Sequence, residues 1–284
     1  MHAITIIKGM SSMKRLIAIF ATSLSLFNTA IAHDSATAAY LGNEGVMVVH
    51  GETKVLFDAF YADSYGQYAL VPDTIVEAMM KGAPPYDGVD AIFVSHVHGD
   101  HFTAEPAVAY MRANPTVRLY APQQVHDAIV NSGVADNDPL MARVFGYDLG
   151  PEDSAINFDV DGLQVAAVAI PHAGNRPHIQ NFAWRVTLGE ETTVMHLGDA
   201  GTVVSDFSRH MQHFKSRKTN TAFPPYWFYG DANGEMILRD IIDADRTIGV
   251  HVPKRAAGDG DKWRARAGGD LFTDPGETRD LIGK

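Results

Sequence analysis

The segment that most constrains this chain is Ser-His-Val-His-Gly-Asp-His at positions 95–101, which holds three imidazoles and a carboxylate within six residues. It follows positions 89–94, a mostly apolar run typical of a buried strand. In an extended loop, alternation places His96 and His98 on one side, while Asp100 and the histidine after it can turn toward a second point nearby. Without a cation, such a cluster would leave several polar groups without a hydrogen-bond partner. The segment therefore predicts a metal site at a strand end.

The number of donors in this segment indicates more than one cation. A catalytic ion keeps one position open for water, so four protein ligands are too many for a single open site. The chain contains no cysteine, which excludes a thiolate zinc site, a cysteine nucleophile, an iron-sulfur cluster and a disulfide framework. We therefore expect two adjacent ions held by imidazole and carboxylate alone.

The remaining pattern alternates predicted strands with short helices. Hairpin signals are Gly51-Glu52, Asp161-Gly162 and Gly189-Glu190. Helices are predicted over 73–81, 104–113, 123–131 and 234–242. Three further candidate ligands each follow a predicted strand: His172 after Leu163 to Ile170, Asp199 after Thr192 to Leu197, and His251 after Arg246 to Val250. Hairpins mixed with helices favour an α+β layered sandwich over a wholly parallel sheet.

Residues 1–32 have the pattern of a secretory signal. Three basic residues precede the apolar run Leu16 to Phe27, and small residues precede a predicted cut after Ala32. The run is shorter than the roughly 20 residues of a spanning helix, so we expect no stable membrane anchor after cleavage. Met13 is an alternative start to Met1. We expect a periplasmic or secreted protein with one domain over 33–284.

The charge of the exported part disfavours nucleic acid as a partner. Residues 33–284 hold 20 of the 23 basic and all 34 acidic side chains, so their formal net charge is −14. Nucleic-acid binding draws much of its affinity from basic groups on phosphate. We therefore expect a small-molecule substrate, and the oligomeric state stays open.

Several motifs, taken in order, resemble those of the metallo-β-lactamase superfamily. The segment 95–101 is similar to its first motif, Pro171-His172 to its third, Leu197-Gly198-Asp199-Ala200-Gly201 to its Gly-Asp motif, His251 to its last, and Leu56-Phe57-Asp58 to a strand-end aspartate that supports the site from behind. The resemblance covers Gly42 to about Lys254 and implies a four-layer αββα sandwich. It is closest to the ascorbate-6-phosphate lactonase-like and N-acyl-phosphatidylethanolamine phospholipase D-like branch. The bridging-type aspartate and the lack of cysteine argue against a true β-lactamase.

The resemblance also implies a ligand set and a reaction. His96, His98 and His172 would hold one ion, Asp100, His101 and His251 the other, and Asp199 would bridge them. The implied enzyme is an exported hydrolase whose hydroxide, shared by two divalent ions, attacks a small ester, lactone or phosphodiester. Zinc is the expected metal, with manganese or iron as alternatives, and Asp100 would also pass a proton. His178 is the alternative to His172 as the third-motif ligand. His196 is expected either to support the metal ligands or simply to pack within the strand that precedes Asp199.

Other interpretations stay open at this stage. If the same ligands held iron, the protein would be an oxidoreductase. If it had no turnover, it would be a non-catalytic periplasmic metal-binding protein. The aromatic segment 223–229 is expected to pack in the core or a lid, although Tyr226 and Trp227 could line the entrance and select an apolar or ring-shaped substrate. Lys254 and Arg255 are expected to be a solvated basic pair, with contact to a small anion as the alternative.

Overall fold

The computed structural model describes residues 36–189 and 192–281. The predicted signal at 1–32 lies outside these residues, as does Glu190 of the third predicted turn. The strands are β1 (Thr37–Gly42), β2 (Gly45–His50), β3 (Thr53–Phe57), β4 (Ala91–Phe93), β5 (Arg118–Pro122), β6 (Val144–Tyr147), β7 (Ile156–Val160), β8 (Leu163–Ala169), β9 (Phe182–Leu188), β10 (Thr192–His196), β11 (Thr221–Phe223), β12 (Arg246–Gly249), β13 (Asp270–Leu271) and β14 (Thr278–Asp280). The helices are α1 (Asp73–Met80), α2 (Ala104–Ala113), α3 (Gln123–Asn131), α4 (Val204–Ser208), α5 (Met211–Ser216), α6 (Ala232–Met236) and α7 (Gly260–Ala267).

The strands form two mixed sheets. One has the order β14-β1-β2-β3-β4-β5-β6 and the other β13-β12-β11-β10-β9-β8-β7. Strands β3 to β6 run parallel, as do β10 to β13, whereas the hairpins β1-β2-β3 and β7-β8-β9-β10 are antiparallel. The prediction of a mixed rather than wholly parallel arrangement is confirmed.

Alternating side chains bury both faces of each sheet. In β2, Val46 and Val48 face a core between the two sheets, while Met47 faces a core that the first sheet shares with helices α1 to α3. In β9, Trp184 faces the same central core, while Ala183 faces the core under α4, α5 and the turn after α6. This two-residue period stacks the layers helix, sheet, sheet, helix. The predicted four-layer αββα α+β sandwich is confirmed.

Several elements differ from the sequence predictions. Strands β1, β6, β11, β13 and β14 were not predicted, because they are short or poor in β-branched residues and form through pairing with neighbours. The helix predicted over 234–242 is instead α6 followed by a π-helical turn at Ile237–Ile242. Thr103 stands at the N-cap position of α2, but its hydroxyl accepts a hydrogen bond from Ala62 N at 2.9 Å and makes no hydrogen bond to the first turn of the helix. Among the described residues, no helix has both the length and the apolar character needed to cross a membrane.

Candidate metal centre

Three histidines and one aspartate converge where β4, β8 and β10 end. His98 Nδ1 lies 3.0 Å from His96 Nε2 and 3.1 Å from His172 Nε2. Asp199 Oδ2 lies 3.2 Å from His172 Nε2, and one donor atom from each of the four residues lies within 4.8 Å of the others. The structure therefore brings together all four residues of what we call the first cluster: His96, His98, His172 and Asp199.

A second cluster lies directly beside the first. Its members Asp100, His101 and His251 each place one donor atom within 4.8 Å of the others. Asp100 Oδ2 lies 3.4 Å from His251 Nε2 and 3.7 Å from His101 Nε2. All seven residues named as ligands from the sequence thus lie in two adjoining groups, which together we call the metal centre.

Asp199 joins the two clusters through its separate carboxylate oxygens. Oδ2 faces His172 in the first cluster, while Oδ1 lies 3.0 Å from His251 Nε2 and 3.3 Å from His101 Nε2 in the second. Asp199 Oδ1 and both of these Nε2 atoms are buried, and none makes a hydrogen bond among the described residues. Buried polar atoms without partners are costly, and a cation would satisfy them together. The donor set therefore fits metal ions.

In His101 and His172 the ring nitrogen that faces away from the centre lies beside a fixed acceptor. His101 Nδ1 lies 2.8 Å from Asp58 Oδ2, and Asp58 also accepts a hydrogen bond from Ser95 N at 2.7 Å. His172 Nδ1 lies 2.6 Å from the carbonyl oxygen of Ala173. Such contacts orient an imidazole so that its other nitrogen can bind a metal. Asp58 stands where the sequence placed a supporting aspartate.

The β1–β2 turn supplies two polar residues that sequence reasoning missed. Asn43 Nδ2 donates to the backbone oxygen of Asp100 at 2.9 Å. Glu44 is fully buried, and its Oε2 lies 3.8 Å from His101 Nδ1 and 3.6 Å from His196 Nε2. His196 Nε2 also lies 2.9 Å from the Glu44 backbone oxygen, so His196 supports this turn. The sequence signals only a turn here, and nothing in it indicates that the turn lies beneath the metal centre.

Three non-glycine residues at the centre have left-handed backbones. The φ angles are 45° at Asn43, 40° at Asp58 and 58° at His251. This conformation costs about 1–2 kcal/mol for an ordinary residue, and such residues concentrate at functional sites where surrounding contacts hold them. At His251 the backbone nitrogen donates to Asn43 O at 2.9 Å, which ties the end of β12 to the β1–β2 turn.

The loop that presents Asp199 depends on a glycine and on an asparagine that was not predicted. Asn181 Oδ1 accepts from Asp199 N at 2.9 Å, and Asn181 Nδ2 donates to Leu197 O at 3.1 Å. Gly198 has φ of 52°, and a Cβ there would lie 2.4 Å from Asn181 Oδ1 and 2.5 Å from Ser95 Cβ. The close approach of these loops therefore requires glycine.

We expect Gly198→Ala to destabilise the protein by about 1–3 kcal/mol, because the new methyl group meets packed atoms and the backbone is left-handed. Chemical denaturation would measure the loss. Gly162→Ala is the matched control, since Gly162 also has positive φ but has nothing near its Cβ position. If both variants lose equal stability, the strain of φ alone explains the effect and the close approach does not.

The other residues singled out from the sequence lie around the centre. His178 is exposed and belongs to neither cluster, so the structure favours His172 at the third-motif position. The ring of Trp227 lies 5.1 Å from that of His251, and Tyr226 lies 5.8 Å from Trp227. Tyr68, which was not predicted, packs its ring 4.1 Å from His251.

The imidazoles of the two clusters differ in protonation. Burial lowers the pKa of His96 well below its ordinary value and that of His98 to about 4, so both imidazoles are neutral and able to bind metal. Burial also opposes charge on His101 and His251, but the Asp199 carboxylate overcomes it, raising the pKa of His101 well above its ordinary value and that of His251 to about 9. The second cluster thus holds positive charge even without metal.

This difference predicts unequal pH dependence of zinc binding. Below about pH 9, binding at His251 must displace a proton, so affinity there should rise up to about tenfold per pH unit for each proton released. His98, with a pKa of about 4, has no proton to release near neutral pH. Chelator competition at about pH 6 and pH 8 should show one zinc equivalent that tightens with pH and one that changes much less. Equal changes would contradict this assignment of charge.

Comparisons with known proteins identify the family and the fold of this chain. A family model described as a beta-lactamase superfamily domain matches residues 53–251. The comparison with curated proteins found no match. Solved structures share the fold at low identity. Igni18, a metallo hydrolase from Ignicoccus hospitalis KIN4/I, is 14% identical with a TM-score of 0.54 over 88% of this chain and 100% of its own.

Two further structures show how widely the fold is used. The short form of human tRNase Z is 16% identical with a TM-score of 0.55 over 87% of this chain and 99% of its own. The E377D mutant of the CmlA beta-hydroxylase is 14% identical with a TM-score of 0.53 over 87% of this chain and 54% of its own. One fold therefore serves several chemistries. The family match spans most of the chain, from β3 to the last residue of the metal centre, and the chain belongs to the β-lactamase superfamily domain family.

Proposed function

We propose that this protein is an exported, metal-dependent hydrolase that uses two divalent cations on a small ester, lactone or phosphodiester. The observation that carries the proposal is the orientation of Asp199, whose Oδ2 faces His172 while Oδ1 faces His101 and His251. A carboxylate placed in this way can contribute one oxygen to each of two ions. Cations bound here would supply a Lewis acid and lower the pKa of a water molecule enough to make it a nucleophile near neutral pH.

The protein's own residues position and polarise this site. Asp58 fixes the orientation of His101, and Asn43 fixes the backbone of Asp100. Burial would raise the pKa of Asp100, but contact with His251 lowers it overall, so the carboxylate is ionised. An ionised Asp100 can bind a cation and accept a proton near the reacting bond, which is the catalytic role we assign to it.

Substrate would enter from the side of His98. His98 is partly exposed, whereas the other imidazoles of the metal centre are buried. The partly exposed rings of Tyr68 and Trp227 pack against His251, and the exposed Tyr65 has its hydroxyl beside Gly99, the residue after His98. Aromatic rings at an entrance provide apolar contact area for a substrate. We therefore expect a substrate with an apolar or ring-shaped part next to the bond that is broken.

We expect Trp227→Ala to lower kcat/KM for the best substrate about tenfold, because a large apolar contact at the entrance is lost. The indole nitrogen also donates to Ala200 O at 3.0 Å, so Trp227→Phe keeps a ring while removing this hydrogen bond. Steady-state kinetics and thermal unfolding would be measured on both variants. Unchanged turnover and unchanged stability in Trp227→Ala would show that Trp227 does not line the site.

The charge of the chain supports a small substrate. The formal net charge of −14 over residues 33–284 opposes binding of a polyanion, so we do not propose RNA as the substrate. Export rests on the signal-like segment 1–32. Periplasmic fractionation of a tagged full-length chain, with Edman sequencing of the mature N-terminus, would test the cut after Ala32.

A turnover screen tests the reaction class. The purified protein would be assayed with simple lactones, nitrophenyl esters and bis-nitrophenyl phosphate, with and without a chelator. We expect chelator-sensitive hydrolysis of at least one class. Metal-dependent oxidation in place of hydrolysis would favour the iron oxidoreductase alternative, and metal binding without turnover of any of these would favour the binding-protein alternative.

A further inference from the structure

A pocket of about 350 Å³ lies between the aromatic segment and α7, outside the metal centre. It is lined by three aromatic residues, one leucine and two arginines, namely Tyr226, Tyr229, Trp263, Leu271, Arg255 and Arg266, together with Gly230 and Ala267. No carboxylate is among the residues that line it in the described part of the chain. The pocket thus combines ring-sized apolar surface with positive charge.

The aromatic walls are held in place by packing. Tyr226 and Trp263 meet edge to face with ring centroids 6.3 Å apart. The ring of Tyr229 fits against two glycines, since a Cβ at Gly269 would lie 2.4 Å from it and a Cβ at Gly249 would lie 2.7 Å from it. Larger residues at these glycines would displace the ring. The pocket wall is therefore preformed.

The two arginines are available to an anion. Arg255 lies over the Trp263 ring, with its guanidinium carbon 5.5 Å from the ring centroid. Neither Arg255 nor Arg266 forms an ion pair with a carboxylate among the described residues, whereas Arg264 on the same helix pairs with Asp261 and Glu277. In a chain with an excess of acidic groups, two unpaired arginines at one aromatic pocket form a local site for negative charge.

We propose that this pocket binds a planar ring carrying one negative group, such as an aryl carboxylate, sulfonate or phosphate. The ring would contact Trp263 and Tyr226, and the negative group would meet Arg255 and Arg266. Tyr226 also contacts Trp227, which packs against His251. The bound group is therefore either the far end of the substrate or a separate effector close to the metal centre.

Titration calorimetry with naphthalene-2-sulfonate tests the pocket on the metal-loaded protein. We expect saturable binding with a Kd below about 1 mM. The double variant Arg255→Gln/Arg266→Gln should weaken it about tenfold or more, because charge-assisted hydrogen bonds are lost. Lys262→Gln is the matched control, since it removes one positive charge from the same helix outside the pocket, and it should change Kd less than about twofold.

Two results would overturn the proposal: undetectable binding to the wild-type protein, or a double variant that binds as tightly as the wild type. Both arginines are exposed, so their replacement should leave the fold intact, and thermal unfolding would verify this. Trp263→Leu is an independent test. It should weaken binding of naphthalene-2-sulfonate because the ring contact is lost while both arginine charges remain.

Kinetics then identify the source of the bound group. Competitive inhibition by naphthalene-2-sulfonate, relieved in the double variant, assigns the pocket to the far end of the substrate, whereas a change in kcat assigns it to an effector. This step rests on the proposed function, but the calorimetry does not. Binding without any hydrolase activity would therefore support the pocket while contradicting the proposed reaction.

Discussion

The Asp199→Asn protein is expected to lose hydrolase activity by on the order of 10³-fold and to bind one metal equivalent less than the wild type. Asparagine keeps the size of the side chain but removes its charge and leaves one oxygen in place of two. It therefore cannot offer an anionic oxygen to both clusters. Activity with the best substrate and metal content after dialysis would be measured on the same preparation.

A control separates this effect from a general loss of negative charge. Asp240→Asn removes a carboxylate that pairs with Arg239 on the surface, and it should leave activity and metal content unchanged. Burial would raise the pKa of Asp199, but His251 and His101 lower it well below its ordinary value, so the native side chain is anionic across the working pH range. If Asp199→Asn retains two ions and normal turnover, the Asp199 carboxylate does not bind the metal ions.

The second large effect is expected from Asp58→Ala, which should cost about 3–5 kcal/mol of stability because a buried partner of His101 is removed. The change leaves Ser95 N and His101 Nδ1 without the acceptor that they have at 2.7 and 2.8 Å. Metal affinity at the second cluster should fall about 10- to 100-fold, since the ring of His101 is no longer oriented. Denaturation of the metal-free protein and zinc titration would measure the two effects separately.

Asp58→Asn distinguishes orientation from packing. The amide fills the same space and can still accept from Ser95 N, but its NH₂ group faces a nitrogen that needs an acceptor. We therefore expect Asp58→Asn to recover part of the stability lost in Asp58→Ala while metal affinity stays low. If the two variants bind zinc as tightly as the wild type, Asp58 is only a packing residue.

The metal-ligand residues that stand close together in a recognisable motif could be predicted from the sequence. His96, His98, Asp100 and His101 form a dense run after a strand, and all four lie in the metal centre. The choice between His172 and His178 could not be made from residue type. The predicted strand end favoured His172, and in the structure β8 ends shortly before His172 while His178 lies further along an exposed loop.

Residues that act through tertiary approach could not be predicted. Glu44 and Asn43 occupy a tight turn, where polar residues are expected for local reasons, and only the pairing of β1 with β2 and β14 carries them beneath the metal centre. Asn181 precedes a buried strand and has no motif, yet its amide holds the Asp199 loop. The strands β1 and β14 likewise depend on each other, because neither has a strong pattern of its own.

The central claim is that this protein holds two cations between the first and second clusters. The most direct test is metal analysis by plasma emission spectrometry of protein purified without added metal, combined with anomalous diffraction from its crystals. We predict about two equivalents per chain, with one peak beside His172 and one beside His251, and loss of turnover when chelator removes them. Full turnover in metal-free protein, or a single peak distant from Asp199, would contradict the account.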